Sequence, residues 1–138
     1  RHRFSNPKDT LREMFGRLVF NILCGNTDDH ARNHSAFWDG KELTLTPAYD
    51  ICPQGRAGNE ASQAMKISGD RNLSQLKLCL EVAHHSLLSQ KDALEICKHI
   101  ESVIRKYWHQ VCEEAQLNDI DKKLLWGRQF LNPFSFGR

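Results

Sequence analysis

The chain has 138 residues, of which 40% are hydrophobic and 26% are charged, and its formal net charge at pH 7 is +2. These values are typical of a globular domain, and the length predicts one domain that spans residues 1–138. A charge so near neutrality argues against direct nucleic-acid binding, and no apolar run approaches the roughly 18 residues of a membrane span.

The first predicted helix leads into the most polar segment of the chain. Its start is expected at Asp9 or Thr10, either of which could act as the N-cap, and Gly25 is expected to end it as the C-cap. Apolar residues recur at helical spacing between these ends, namely Leu11, Met14, Phe15, Leu18, Val19, Ile22 and Leu23. A helix with so wide an apolar face would hold the following loop, from Asn26 onward, in a fixed place.

A small β-hairpin is predicted after this loop. Residues 36–38 and 43–45 have the composition of short strands, and an Asp-Gly pair between them favours a tight turn. Pro47 ends the second strand because proline cannot donate a ladder hydrogen bond. Such a hairpin would carry the chain back to Asp50, beside the loop that follows the first helix.

The next segments are predicted to be mostly irregular. Residues 53–64 lack periodicity and form a long loop in this prediction. Residues 65–68 are expected to be extended, and Gly69 and Asp70 to form a turn.

The C-terminal half is predicted to be helical, so the fold is expected to be mostly α. A short helix begins at Asn72 or Ser74, a long one follows the N-cap Ser89, and a last one runs from Asp119 until Pro133 closes it. The long helix has an expected apolar face of Ala93, Ile96, Cys97, Ile100, Val103, Ile104, Tyr107, Trp108, Val111 and Cys112.

The five cysteines are odd in number and contain no C-x-x-C pair. Cys79, Cys97 and Cys112 lie on apolar faces of predicted helices, where a free thiol packs as a small hydrophobic group. This distribution favours free thiols over a disulfide framework or a zinc site. It indicates a reducing compartment, with the cytoplasm as the expected location.

Three polar residues have the spacing of a phosphoryl-transfer site: Asp28, Asn33 and Asp50. In a protein kinase, the first Asp orients and deprotonates the attacking hydroxyl, while an Asn five residues later and a further Asp hold magnesium ions on the nucleotide. The spacing alone does not identify a phosphoryl-transfer site, because Asp and Asn are common in loops.

The surrounding residues narrow this interpretation. Residues 20–34 (FNILCGNTDDHARNH) and 45–51 (LTPAYDI) resemble the catalytic core of the HipA family. That family comprises serine/threonine kinases that act as toxins of bacterial toxin–antitoxin pairs. The residues that resemble the family's motifs lie within 15–51. The helical remainder, to about residue 131, resembles the family's C-terminal region only in its pattern of helices.

The resemblance implies a role for each site residue. Asp28 would be the catalytic residue, Asn33 and Asp50 the Mg²⁺ ligands, and His30 would join Asn33 and Asp50 around the ATP phosphates. The fold would be the helical C-terminal lobe of a HipA-like, protein-kinase-like fold. The loop at 53–64 would lie where kinases carry an activation or substrate-binding segment.

The same resemblance implies partners. The substrate would be a serine or threonine of a protein, which in known relatives is an aminoacyl-tRNA synthetase. A helix-turn-helix antitoxin would bind the kinase. These expectations come from the resemblance alone.

Some parts of a kinase are not found in the sequence. A kinase needs a glycine-rich cover over the phosphates and a lysine on a strand, whereas the chain has no G-x-G, and Lys8, the one lysine before Asp28, lies in a polar lead-in. HipA-like kinases carry these parts in their N-terminal region. We therefore expect the chain, which begins at Arg1, to be a C-terminal lobe that pairs with an N-terminal kinase lobe and is inactive alone.

Two alternatives stay open at this stage. The chain could be an inactive interaction module that docks a partner. His30 and His34, at i and i+4, could also belong to a histidine-based metal hydrolase, although the usual H-E-x-x-H filling is missing. His34 is otherwise expected to pack or to meet solvent, and Asp29 to face solvent or cap the backbone.

Overall fold

The computed structural model of the protein describes residues 3–138. In this range it contains α1 (Pro7–Cys24), β1 (Ala36–Trp38), β2 (Leu43–Leu45), α2 (Leu76–Val82), α3 (Gln90–Glu114) and α4 (Asp119–Leu125). Short 3₁₀ turns lie at Ala31–Asn33, Ala83–Ser86 and Pro133–Phe136. The prediction of a mostly α fold with one small hairpin is confirmed.

Helix α1 begins earlier than the sequence analysis predicts. Its N-cap is Asn6, whose Oδ1 accepts a hydrogen bond from the backbone N–H of Asp9 at 3.2 Å, and Pro7 occupies the first turn. Proline fits there because the first N–H groups of a helix have no partner within the helix. The predicted N-cap at Asp9 or Thr10 is therefore wrong.

The two strands pair as predicted, with Ala36 opposite Leu45 and Trp38 opposite Leu43. Asp39 closes the turn because its Oδ1 accepts from the N–H groups of Lys41 and Glu42, at 2.8 and 2.7 Å. These donors favour the charged carboxylate and hold the pKa of Asp39 below its ordinary value.

A buried arginine ties α1 to the end of the hairpin. Arg17 is 9% exposed, and its Nη2 donates to the carbonyl of Thr46 at 2.6 Å. Its Nε donates to Glu13 one turn earlier, at 2.9 Å. The segment that leads to Asp50 is thus fixed against the helix that precedes the polar loop.

The irregular segment between the hairpin and α2 largely follows the prediction. Residues 51–60 contain no regular helix or strand, and Gly69 and Asp70 form a turn closed by pairing of Ser68 with Arg71. The short helix α2, however, begins at Leu76 after Gln75, so the predicted starts at Asn72 and Ser74 are wrong. Ser74 is fully buried before the helix begins.

The N-cap of the long helix is confirmed, but the end of the last helix is not. Ser89 caps α3 by accepting from the N–H of Asp92 at 3.1 Å. Helix α4 already ends at Leu125, and Pro133 starts a 3₁₀ turn rather than closing the helix. The next residue, Trp126, has an extended backbone and packs on the ring of Trp108 in α3, with 4.9 Å between centroids.

The hydrophobic core lies where α1 packs against α2 and α3. Its buried members are Phe15, Val19, Ile22, Leu23, Cys79, Ala83, Leu88, Ala93, Ile96, Cys97, Ile104 and Leu131. The predicted burial of Cys79, Cys97 and Cys112 is confirmed, and Cys24 is buried as well.

The predicted apolar face of α3 is only partly covered. Val103, Tyr107 and Val111 are 37%, 44% and 52% exposed, and they border an open groove that Ile51 also lines. The predicted apolar face is therefore buried at Ala93, Ile96, Cys97, Ile104 and Cys112 but open to solvent at these three residues. Within residues 3–138, no helix combines the length and the hydropathy that a membrane crossing requires.

Candidate functional site

Residues 26–34, which we call the site loop, leave α1 through a tightly constrained turn. Gly25 adopts a left-handed conformation with φ 75°, and its N–H lies against the carbonyls of Asn21 and Ile22. The buried Asn26 donates from Nδ2 to Asn21 Oδ1 at 3.0 Å. The end of α1 therefore fixes the direction in which the site loop starts.

The segment at 53–64 supports the site loop from the side. The N–H of Ala64 donates to the carbonyl of Thr27 at 3.0 Å. Gln63 is 3% exposed, and its Nε2 donates to the carbonyl of Asn26 at 3.0 Å. One end of this segment is thus a structural support for the site loop.

Four polar residues of the site form one connected series of hydrogen bonds. Nε2 of His30 donates to Asp28 Oδ1 at 2.9 Å, and the backbone N–H of His30 donates to Asn33 Oδ1 at 3.0 Å. Nδ2 of Asn33 donates to Asp50 Oδ2 at 2.6 Å. The structure therefore brings together all four residues that the sequence analysis singled out.

The position of Asp50 depends on the residue before it. The hydroxyl of Tyr49 donates to the carbonyl of Arg32 at 2.8 Å and accepts from Ser35 Oγ at 2.7 Å. Asp50 itself has φ 56°, a left-handed conformation that Asp and Asn tolerate better than most residues. The anchored tyrosine and this turn of the backbone place Asp50 against Asn33.

The side chains of the site differ in exposure. The side chain of Asp28 is 64% exposed and that of His30 is 34% exposed, whereas Asn33 is buried at 8%. Asp50 is exposed. The exposed carboxylate of Asp28 is thus held by the half-buried His30, and the backbone of His30 is held by the buried Asn33.

The site offers the type of ligand atom, oxygen, that a hard divalent cation prefers. Mg²⁺ prefers carboxylate and amide oxygens, which Asp50 and Asn33 supply. In the structure, Asn33 turns Nδ2 toward Asp50 and Oδ1 toward the N–H of His30. To share a cation with Asp50, the carboxamide of Asn33 would have to rotate so that Oδ1 faces the carboxylate.

Asp29 is placed differently from the sequence-based expectation, whereas His34 takes one of its two expected placements. Asp29 is 7% exposed, and its Oδ1 accepts from Nε2 of His34 at 2.8 Å. The prediction that Asp29 faces solvent or caps the backbone is therefore wrong. Of the two placements expected for His34, packing is the one observed, because its side chain is 15% exposed and bound to Asp29.

The two histidines do not share a ligand position. His30 contacts Asp28, whereas His34 contacts Asp29. Among residues 3–138, no three or more His, Cys, Asp or Glu side chains are grouped so that they could hold a metal ion together. The geometry gives no support to the histidine-based hydrolase.

Several supporting residues were missed by the sequence analysis. Asn21 lies buried in the otherwise apolar end of α1. A polar residue on an apolar helix face indicates a buried hydrogen bond, so the sequence did contain a signal for Asn21. Tyr49 and Gln63 carried no comparable signal, because their partners lie far away in sequence.

Comparison with models of protein families shows to which family the chain is related. A family model described as the HipA-like C-terminal domain matches residues 1–110. The chain belongs to this family. The match includes α1, the site loop, the hairpin, α2 and most of α3. No curated protein and no solved structure matches the chain.

The part of this HipA-like domain beyond the match still packs on the site helix. The N–H of Leu131 donates to the carbonyl of Leu23 at 2.7 Å, and Leu131 is 6% exposed. Ser135 donates from Oγ toward the carbonyl of Ile22 at 3.5 Å. The C-terminal residues therefore help to hold the end of α1 from which the site loop starts.

Proposed function

We propose that this HipA-like domain is the catalytic-loop lobe of a serine/threonine protein kinase. The observation that carries the proposal is the hydrogen-bonded series from Asp28 through His30 and Asn33 to Asp50. It brings an accessible carboxylate next to an amide and a second carboxylate, which are the polar groups that phosphoryl transfer requires.

In this proposal, Asp28 orients the serine or threonine hydroxyl that attacks the γ-phosphoryl group of ATP and accepts its proton. Orientation is expected to be the larger contribution, because a well-aligned nucleophile removes much of the entropic barrier. His30 holds the carboxylate of Asp28 through the 2.9 Å hydrogen bond and lies beside the phosphates.

Asn33 and Asp50 would hold the Mg²⁺ that accompanies ATP. The cation, when bound, neutralises the charge of the phosphate oxygens. The residues of the chain contribute the oxygens and, through Tyr49, a fixed position for Asp50. An N-terminal kinase lobe with a phosphate-covering loop and a lysine would complete the site.

Membership of the family also supports a biological context. We infer a toxin–antitoxin system in the cytoplasm, with a helix-turn-helix antitoxin as partner. The substrate would be a protein, and an aminoacyl-tRNA synthetase is the first candidate. These inferences rest on the family and not on the site geometry.

The exposed groove beside α3 favours a second candidate, an inactive module that docks a partner. Its walls are almost entirely apolar, it has a volume of about 280 Å³, and Ile51 lines it one residue after Asp50. Contiguous exposed apolar surface often marks an interaction site. The two candidates differ in whether Asp28 is needed for chemistry.

Asp28→Asn in the intact protein tests the proposal. The change keeps the shape of the side chain and removes the charge, so phosphoryl transfer should fall at least about 100-fold. ATP binding should stay within about threefold, and the free energy of unfolding within about 0.5 kcal/mol, as for other surface substitutions. Asp70→Asn, at an exposed turn, is the matched control and should leave transfer unchanged.

The opposite pattern would contradict the proposal. A structural Asp28 predicts a loss of roughly 1 kcal/mol or more in the free energy of unfolding, while the folded fraction keeps its activity. An intact protein that binds a partner but transfers no phosphoryl group would support the docking module.

A further inference from the structure

The site loop has an inner face as well as an outer one. Nε2 of His34 lies 2.8 Å from Asp29 Oδ1, and the two side chains are 15% and 9% exposed. The side chain of Asp28, next to Asp29 in the chain, is 64% exposed. Adjacent acidic residues thus point to opposite sides of the loop.

The inner pair connects the two ends of the segment that carries the outer site. Asp29 directly follows Asp28, and His34 directly follows Asn33. A contact between residues 29 and 34 therefore limits how far residues 28 and 33 can move apart.

We propose that Asp29 and His34 are a positioning pair that fixes Asp28 relative to Asn33, a proposal that rests on the kinase function proposed above. The pair acts from inside the fold and touches neither of the two outer side chains in the hydrogen bonds that the structure shows. It lines a cavity of about 260 Å³ whose α1 wall is formed by Met14, Phe15 and Leu18.

The chemistry of the contact determines which residue donates the hydrogen bond. A carboxylate can only accept hydrogen bonds, so Nε2 of His34 carries a hydrogen and donates a hydrogen bond to Asp29. A buried carboxylate without a donor is strongly unfavourable. Without the histidine, Asp29 would be drawn toward water, and Asp28, joined to it through the backbone, would move with it.

Two substitutions at His34 separate the donor from the shape of the ring. His34→Phe keeps a flat ring and removes the donor, whereas His34→Gln removes the ring and keeps an N–H donor at about the same distance from the backbone. His109→Phe is the matched control, because His109 is 85% exposed and lies 4.0 Å from a carboxylate of Glu113 on α3.

The first measurement is the kinetics of the intact protein. His34→Phe should lower kcat for phosphoryl transfer at least tenfold, with the KM for ATP changed less than threefold, because the reacting groups are misaligned while most nucleotide contacts remain. His34→Gln should restore kcat to within threefold of the original protein. His109→Phe should leave both constants unchanged.

The second measurement does not depend on catalysis. The N–H of His30 donates to Asn33 Oδ1, so its hydrogen exchange reports whether the outer site keeps its geometry. In the intact protein without Mg²⁺ and ATP, exchange at His30 should be at least tenfold faster in His34→Phe and close to the original rate in His34→Gln. The amides of α3 should not change in either variant.

These outcomes separate the two proposals. Unchanged kcat and unchanged His30 exchange in His34→Phe would overturn the positioning pair, even if Asp28→Asn abolishes transfer. Transfer that survives Asp28→Asn would overturn the proposed function. Loss of folded protein in both His34→Phe and His34→Gln would assign the pair to the stability of the core and also overturn the positioning proposal.

Discussion

Asn33 donates a hydrogen bond from Nδ2 to Oδ2 of Asp50 at 2.6 Å, across 17 positions of the chain. The hairpin of β1 and β2 makes this contact possible because it reverses the chain between the two residues. Asp50 then adopts a left-handed backbone conformation directly after the anchored Tyr49. Two distant segments therefore supply the two oxygen-bearing groups proposed to bind Mg²⁺.

The proposed cation site predicts a specific loss of metal binding. In the intact protein with ATP, Asp50→Asn should weaken Mn²⁺ binding tenfold or more, because a charged oxygen ligand becomes a neutral amide. Asn33→Ala should weaken it as well. The disappearance of the free-ion electron paramagnetic resonance signal during a Mn²⁺ titration measures the affinity.

Asp39→Asn is the control for this titration, since Asp39 is an exposed turn residue on the same hairpin. The affinity of the Asp39→Asn variant for Mn²⁺ should equal that of the original protein. Equal affinities in the Asp50→Asn and Asp39→Asn variants would refute the ligand assignment.

The features predicted well from the sequence are those with local causes. Glycine adopts the left-handed conformation of the C-cap with the least strain, which identifies Gly25, and the Asp-Gly pair specifies the turn between β1 and β2. The spacing of Asp28, Asn33 and Asp50 was also visible, because two of the three belong to one short loop.

Other features depend on how side chains orient and pack in the folded chain. The burial of Asp29 requires a donor from His34, and neither the residue types nor their order shows that the two side chains turn inward. Helix α4 ends at Leu125, earlier than predicted, and Trp126 then packs on Trp108, a contact across the fold that local propensity does not contain. The N-cap Asn6 does have a local signal, because a following proline is typical of a helix N-terminus.

The five thiols should differ sharply in reactivity. Burial raises the pKa of Cys24 and Cys97 to about 11 and that of Cys79 to about 12, and it also raises the pKa of Cys112. At pH 8 a thiol with a pKa near 11 is ionised in only about one molecule in a thousand, and the thiolate is the reactive form. Cys52 is exposed.

Ellman's reagent at pH 8 should therefore modify one thiol of the folded protein rapidly and all five after denaturation. Cys52→Ser should remove the rapid phase and leave the slow one. A rapid phase that persists in Cys52→Ser would mean that a buried thiol is opened by local unfolding.

The buried thiols also predict a fall in stability at alkaline pH. Cys97 has its pKa raised from 9.0 to about 11, so the folded chain keeps a proton that the unfolded chain releases. Between pH 9 and 11 the free energy of unfolding should therefore decrease as pH rises, by at most about 1.4 kcal/mol per pH unit for each such thiol. Below pH 9 this contribution should be absent.

Urea unfolding at several pH values measures this slope. Cys97→Ala should give a shallower decrease between pH 9 and 11, whatever its stability at neutral pH. Cys52→Ser should reproduce the slope of the original protein. Identical slopes in the original protein and Cys97→Ala would show that Cys97 ionises equally in both states.

Two glycines with the same backbone conformation provide a final test of how the site loop is held. Gly25 and Gly127 have φ of 75° and 76°, but their surroundings differ. A Cβ at Gly25 would lie 2.6 Å from the carbonyl oxygen of Gln129, whereas one at Gly127 would meet nothing within 4 Å. The left-handed conformation alone costs roughly 1 kcal/mol for alanine, and forced overlap with backbone adds roughly 1–3 kcal/mol.

We therefore expect Gly127→Ala to lower the free energy of unfolding by about 1 kcal/mol and Gly25→Ala by about 2–4 kcal/mol, both measured by urea denaturation. The difference between the two variants isolates the close approach of the Gln129 backbone, since the conformational cost is common to both. Because Gly25 lies directly before the site loop, its alanine variant should also reduce phosphoryl transfer by the intact, folded protein, whereas Gly127→Ala should not. Equal losses of stability would show that the segment around Gln129 moves away freely and does not hold the end of α1.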